Sequence, residues 1–319
     1  MYRFAALAFG AALAATTAGA QTYPDHPVRV IAPSAPGGGF DFVGRVLSDK
    51  LTERMGQSFV VENRAGAGTL VGTQTAAAAP PNGYTLLVGG LSNIALNAGL
   101  YKNITYKPSD FTPIALVISY SYTLIARPTL PQSTLREVVD YARAHPNELN
   151  LATGGAGSGQ QVGGAILRKL TDVTMLEVPF KGAQAVYSEL MSGRIDLFYD
   201  NTTTARPYIE AGSVKPIAIS SAQRNPLLPN VPTINETGVA KFEMETWFGL
   251  FAPSRAPEPV INRLRGEVAA IMKMPEVRTT FEKSGGRVLD MSIPETEAFV
   301  KAEIAKWTSL IAQAGVTAE

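Results

Sequence analysis

The chain has 319 residues, 45% of them hydrophobic, with 28 basic and 27 acidic residues and no cysteine. That is enough apolar material for one large or two ordinary cores. The near-neutral balance excludes nucleic acid or an anionic membrane as an electrostatic partner, and the lack of cysteine excludes disulfides, thiolate metal sites and a cysteine nucleophile.

The first twenty residues read as a secretory leader. Arg3 is their only charge, Phe4 to Ala15 is an apolar run, and Ala18-Gly19-Ala20 is a small-residue cleavage site. Cleavage after Ala20 starts the mature chain at Gln21 and predicts export. No Cys stands at 21 to carry a lipid, and no later segment approaches the ~18 apolar residues of a membrane span.

From there the pattern alternates strand and helix, as in α/β domains with parallel sheets. Val28–Ala32 reads as a strand, Asp41–Met55 as a helix, Phe59–Glu62 as a strand and Thr69–Ala78 as a helix. Pro80-Pro81-Asn82-Gly83 stops that helix. Thr85–Val88 is a third strand. Ile114–Ser119 and Thr123–Ala126 read as two short strands close together. Leu135–Ala144 is a helix, Leu149–Thr153 a strand, and a helix runs on through Leu170.

Met175–Pro179, Asp196–Tyr199, Val214–Ser220 and Thr246–Ala252 follow as strands, with helices at Ala183–Met191 and Ala205–Ala211. The last third is helical. Pro294 marks a helix start. Val300, Ile304, Trp307 and Ile311 then form one apolar stripe, which reads as core packing.

Two segments share one plan of strand, glycine turn and helix: Val28–Leu47 and Leu149–Leu170. Gly37, Gly38 and Gly39 let a ligand approach the backbone, and the following helix start offers unpaired N–H groups and a dipole that favours an anion. Crossings near Ser119–Thr123 and Glu243–Trp247 would join two α/β lobes. Both turns would then face a cleft at the carboxyl ends of the strands, where ligands bind in open α/β sheets.

Other chemistries fare worse. Gly37 and Gly39 are followed by Phe42, so the dinucleotide spacing fails, and no phosphate-loop run exists. Ser158 lacks the flanking glycines of a nucleophile elbow. The only histidines, His26 and His145, stand beside prolines away from strand ends. No acidic or histidine cluster has metal-ligand spacing. The reading is therefore of no enzyme, no catalytic residue, no cofactor and no metal.

The strand-end loops carry neutral donors: Ser34, Ser92-Asn93, Ser158 with Gln160-Gln161, and Asn201-Thr202-Thr203-Thr204. Such groups bind a carboxylate without reacting with it. Phe40, Phe42 and Phe180 either face a ring-bearing ligand or pack in the core. Asp41 either caps its helix or touches ligand, and Arg45 one turn on can offset its charge. The candidate ligand contacts are Ser34, Gly37, Gly38, Gly39, Phe40, Asp41, Ser92, Asn93, Gly155, Gly157, Ser158, Gln160, Phe180, Asn201 and Thr202.

Several runs together resemble one family. They are Tyr23-Pro24; Pro36-Gly37-Gly38-Gly39-Phe40-Asp41 with Arg45; and Val61-Glu62-Asn63-Arg64-Ala65-Gly66-Ala67-Gly68. Pro81-Asn82-Gly83-Tyr84-Thr85-Leu86-Leu87, Val178-Pro179-Phe180-Lys181-Gly182, Gly193-Arg194-Ile195-Asp196 and Leu228-Pro229-Asn230-Val231-Pro232-Thr233 complete the set. Across essentially the whole mature chain it resembles the Bug receptors, the periplasmic substrate-binding components of tripartite tricarboxylate transporters.

The resemblance implies a two-lobed periplasmic binding protein, a Venus flytrap with a mostly parallel sheet in each lobe and two connecting strands. It implies a leader over residues 1–20, a discontinuous first lobe over 21–121 and 246–319, and a second lobe over 122–245. It implies a carboxylate held between the loops Ser34–Asp41 and Gly155–Gln161, often through water, and delivery to membrane permease subunits by a monomer. The second loop departs from the family's Asn-Gly-Ser-Pro type run, having neither Pro nor His. That open loop and the phenylalanines favour an aromatic, terephthalate-like acid. A ligand sensor for a signalling partner and a periplasmic hydrolase are the alternatives.

Overall fold

The computed structural model describes residues 23–180 and 183–317. The expected leader and its cleavage site lie outside them, as do Lys181 and Gly182.

Strand β1 (Val28–Ala32) sits between two parallel neighbours, β2 (Phe59–Asn63) and β3 (Thr85–Gly90). Helix α1 (Gly39–Met55) joins β1 to β2. Its buried Phe40, Val43, Leu47 and Leu51 recur at helical spacing, and Gly56 ends it in the left-handed conformation. Helix α2 (Leu70–Ala77) leads on to β3. A π-helical turn (Leu91–Leu96) and the short α3 (Asn97–Leu100) follow. The sequence predicts only loop there.

The two short strands expected around residue 120 are one. β4 (Phe111–Ala126) runs unbroken for 16 residues. It pairs antiparallel with β9 (Glu245–Pro253) as far as Ser121 opposite Glu245. From Tyr122 opposite Asn201 it pairs antiparallel with β7 (Leu197–Asn201). One strand thus belongs to both sheets.

The second sheet continues in parallel from β7 to β5 (Asn150–Thr153) and then β6 (Leu176–Pro179). Helix α4 (Leu135–Ala144) precedes β5. Helices α5 (Gly159–Thr171), α6 (Ala183–Met191) and α7 (Thr202–Glu210) connect and follow these strands. β8 (Lys215–Ile219) adds to β4. The whole order is β2-β1-β3-β9-β4-β7-β5-β6. The parallel arrangement expected from the sequence holds in both outer halves, and the crossing strands add the antiparallel ladders.

The helical end expected from the sequence begins only after β9, and the last third also holds β8 and β9. The helical end holds α8 (Glu258–Met272), α9 (Pro275–Lys283) and α10 (Ile293–Ala314), with the two-residue β10 (Arg287–Val288) added to β4. Ser292 and Glu295 cap α10 reciprocally. Val300, Trp307 and Ile311 are buried as the stripe predicts. Glu303, on the same face, accepts the indole N–H of Trp307 at 2.8 Å and that of Trp247 in β9 at 3.0 Å. One carboxylate therefore ties the last helix to a crossing strand.

The crossing leaves no space for a side chain at Gly249. A Cβ there would stand 2.2 Å from the backbone oxygen of Ala115 in β4. Backbone cannot yield as a flexible side chain does, so overpacking here costs at least the usual ~1–3 kcal/mol. Gly249→Ala is expected to lower unfolding stability by about 2 kcal/mol or more in urea titrations. A midpoint within error of wild type would mean that the crossing is not packed this tightly.

Candidate ligand-binding site

The ladder registers place the loops. Gly90, the last residue of β3, pairs with Phe248, three residues from the crossing at Glu245. Asn201, the last of β7, pairs with Tyr122 at the same crossing. β1 and β5 run parallel to these strands. The carboxyl ends of β1, β3, β5 and β7 therefore all point at one level, where the two sheets meet.

In the first lobe the triple glycine precedes α1. Gly37 has φ +84°, a conformation costly for other residues, whereas Gly38 is extended and occupies the N-cap position. No side chain caps this helix start. Its first N–H groups are left to solvent or a ligand. Gly39 lies against the Phe248 ring, 2.7 Å from where its Cβ would stand.

Asp41 holds this loop. Its carboxylate accepts from the Gly37 N–H at 2.9 Å, from Asn63 Nδ2 at 2.9 Å and from Arg45 Nε at 3.0 Å. It is 4% exposed. Burial alone would raise its pKa, but the bonds from Arg45, Gly37 and Asn63 hold it below the ordinary carboxylate range. Of the two roles the sequence left open, these bonds are those of an anchor. Asn63 also donates to the Ser34 carbonyl at 3.1 Å, so β2 braces the turn after β1. Nothing in the sequence singled out Asn63 for this task.

In the second lobe Gly157 has φ +75°, and its N–H donates to Gln161 Oε1 at 2.9 Å. Ser158 caps α5, accepting from the Gln161 N–H at 3.2 Å. Phe180 is half-buried beside the turn, its carbonyl 3.3 Å from where a Cβ of Gly155 would stand. Gln160 donates through Nε2 to Asp200, at 3.1 Å. Asn201 ends β7 with Oδ1 buried and lacking a partner among the described residues. Gly155, Gly157, Ser158, Gln160, Phe180 and Asn201 are thus brought to one cluster of loops.

The clusters meet across the cleft. Gly68, after β2, lies 3.3 Å, measured from the Cβ it lacks, from the backbone oxygen of Ala156. The helix starts that flank the cleft stand on the tyrosine side of β4. Phe40 packs on Phe248, 4.9 Å between centroids, Phe248 on Tyr120 at 6.1 Å, and Gly159 lies against the Tyr122 hydroxyl. Ser119 and Ser121 point to the opposite face. There they line a polar cavity of about 350 Å³ with Glu245 and Arg287, behind the crossing and away from the glycine turns.

Three expected contacts are committed elsewhere. Asn93 is fully buried, accepting from the Gly90 N–H at 2.7 Å and donating to Thr73 Oγ1 at 3.2 Å. Thr202 is 1% exposed, its hydroxyl 2.8 Å from those of Ser121 and Thr123. Phe40 is buried as core, and Phe42 packs on Phe281. Ser34 and Ser92 remain half-buried at the loops. The residues that the sequence missed are Asn63, which ends β2, Asp200, one before the end of β7, and Tyr120, Tyr122 and Phe248 of the crossing. Only the register reveals their position.

The fold and cleft are those of a two-lobed periplasmic binding protein. Residues 43–316 match the family described as "Tripartite tricarboxylate transporter family receptor". A UPF0065 protein from a tcbD-tcbE intergenic region of Pseudomonas sp. strain P51 is 32% identical over 312 residues, 95% of this chain and 92% of that protein. The structure of the periplasmic binding protein BugD is 34% identical, with a TM-score of 0.80 over 92% of this chain and 99% of that one. A Rhodopseudomonas palustris protein solved with adipate is 31% identical, with a TM-score of 0.81 over 92% and 99%. MatC from the same organism, solved with bound malate, is 32% identical, with a TM-score of 0.80 over 91% and 100%. The chain belongs to the tripartite tricarboxylate transporter receptor family, the family of the Bug proteins. These are solute-binding receptors, not enzymes.

Asp41 gives the site an acid-sensitive element. A carboxylate whose folded pKa is depressed contributes stability that is present above its unfolded pKa of about 4 and lost as pH falls through the folded value. The melting-temperature gap between wild type and Asp41→Asn is expected to be largest near neutral pH and to narrow below pH ~4. Melting curves of the two proteins that stayed parallel from pH 6 to pH 3 would show that the Asp41 charge does not hold the loop.

Proposed function

We propose that the chain is an exported receptor that captures a small organic carboxylate between its lobes and delivers it to the permease subunits of a tripartite tricarboxylate-type transporter. The observation that carries this reading is the uncapped start of α1 at Gly38–Asp41, set at the crossing across from the second glycine turn. Oriented N–H groups and the helix dipole there suit a carboxylate. The relatives solved with adipate and malate hold acids on the same fold.

We place the division between lobes at residues 121/122 and 245/246, because β4 changes partner there. Each lobe supplies one side of the cleft, so a single chain makes a complete site and acts as a monomer. The phenylalanines that favoured an aromatic, terephthalate-like acid are reduced to Phe180, since Phe40 and Phe42 pack in the core. Residues 1–20 act as the export leader, from Arg3, the Phe4–Ala15 run and Ala18-Gly19-Ala20.

Two measurements test the reading. A carboxylate at a hundred times its Kd is expected to add about 2.7 kcal/mol of stability in thermal-shift assays, and its methyl ester far less, because charge-assisted bonds are lost. An ester that matched its acid would remove the carboxylate from recognition. Amino-terminal sequencing of periplasmic protein is expected to start at Gln21, and a start at Met1 would rule out the leader.

A further inference from the structure

The second lobe carries a buried carboxylate that anion binding does not explain. Asp200 is the fourth residue of β7 and is 1% exposed. Its Oδ2 accepts from the Tyr187 hydroxyl at 2.8 Å, and its Oδ1 from Gln160 Nε2 at 3.1 Å. The Asn201 backbone N–H also donates to it. Tyr187 is held in turn by stacking on Tyr208, with 3.9 Å between centroids. The partners of Asp200 are neutral donors.

A carboxylate only accepts hydrogen bonds. It draws the NH₂ half of Gln160 towards itself and leaves the amide carbonyl on the other side. That oxygen lies in the second glycine turn, 3.2 Å from where a Cβ of Gly154 would stand. Two buried oxygens at these strand ends have no partner among the described residues: Thr153 Oγ1, on a residue 1% exposed, and Asn201 Oδ1. Thr153 ends β5 and Asn201 ends β7, which are neighbours in the sheet. The cleft therefore has a donor side at α1 and an acceptor side at β5 and β7.

We propose that Asp200 is a positioning residue: by fixing Gln160 it makes the second lobe an acceptor site, which selects acids that carry a hydroxyl or ammonium group in addition to the carboxylate held at α1. This rests on the carboxylate-receptor reading and narrows it. A site built to hydrogen-bond a substrate OH or NH rejects the analogue that lacks it, because its own buried groups are then left unpaired. A second carboxylate presented to these oxygens would meet the Gln160 and Asn201 amide oxygens, with only the Thr153 hydroxyl able to donate to it.

The test is calorimetry on the mature protein with two matched pairs, malate against succinate and 2-aminoadipate against adipate, and with terephthalate. Wild type is expected to bind the donor-bearing member of at least one pair about tenfold or more tighter than its partner. Asp200→Asn offers Gln160 both a donor and an acceptor, so the amide loses its fixed direction. Gln160→Met keeps the length without the acceptor, and carries the test alone if Asp200→Asn does not fold by circular dichroism.

Both variants are expected to lose the ratio by weakening the hydroxy or amino acid, with the plain acid within about threefold of wild type. A merely structural role for Asp200 would weaken both members alike. Equal binding of both members by wild type overturns the proposal and leaves the carboxylate reading standing. A ratio that survives the substitutions, or terephthalate binding tighter than either pair, does the same. Failure of all five acids overturns both readings together.

Discussion

The structure depends on one strand serving two sheets. β4 exchanges β9 for β7 between Ser121 and Tyr122, without a break in its own extended backbone. Because antiparallel pairing ties each residue to one partner, this exchange fixes where every neighbouring strand ends. The four carboxyl ends that carry the loops are brought to one level by that register and by nothing in the loops themselves. The same constraint explains Gly249, where two backbones pass too closely for a methyl group, and Glu303, which ties α10 to β9 through the Trp247 indole.

The two sides of the cleft are built differently. At α1 the helix start is free and its loop is braced from behind, by Asp41, Arg45 and Asn63 acting through side chains. At α5 the helix start is already satisfied by Ser158 and Gln161, and Gln161 is tied to Glu177 at 2.9 Å. The dipole of α5 is therefore partly spent inside the protein. What the second lobe presents instead is side-chain and hydroxyl oxygen. Two similar segments of sequence, each a strand, a glycine turn and a helix, thus become two chemically distinct half-sites. The difference lies in the N-cap residue: Gly38 leaves the start of α1 uncapped, whereas Ser158 caps α5.

Much of this was legible in the sequence. The alternation of strands and helices, both glycine turns, the crossings and the apolar stripe of α10 all follow from local periodicity, which a core imposes on each segment separately. The local pattern splits β4 into Ile114–Ser119 and Thr123–Ala126, because Tyr120-Ser121-Tyr122 interrupts its apolar runs. The serines face a polar cavity and the tyrosines pack in the core on the other side, a two-sided environment that no local pattern reveals. The π-helical turn at Leu91–Leu96 is held by Asn93, whose amide serves the Gly90 backbone. Asn93 and Thr202 look in sequence like Ser34 and Asn201: small polar residues after a strand. Whether such a side chain points into the cleft or back into the sheet is settled by neighbours far along the chain, Thr73 for one and Ser121 with Thr123 for the other.

A two-lobed solute-binding receptor must open as well as close, and the contacts between lobes bear on that need. Away from the shared strands, α10 of the first lobe packs on α5 of the second, and elsewhere the lobes meet at glycines. Gly68 faces the Ala156 carbonyl, and Gly285 faces Thr203 and Leu227, where a Cβ would stand 2.5 Å from a Thr203 methyl. Backbone set against backbone or a lone methyl buries little apolar area at the glycines, whereas α10 on α5 keeps apolar contact between the lobes. Domain closure of this kind is governed by differential contacts in the two states. A ligand that bridges α1 and the ends of β5 and β7 adds contacts that only the closed state has. A ligand that engages only one side leaves the other side's groups unpaired, and does not hold the lobes together.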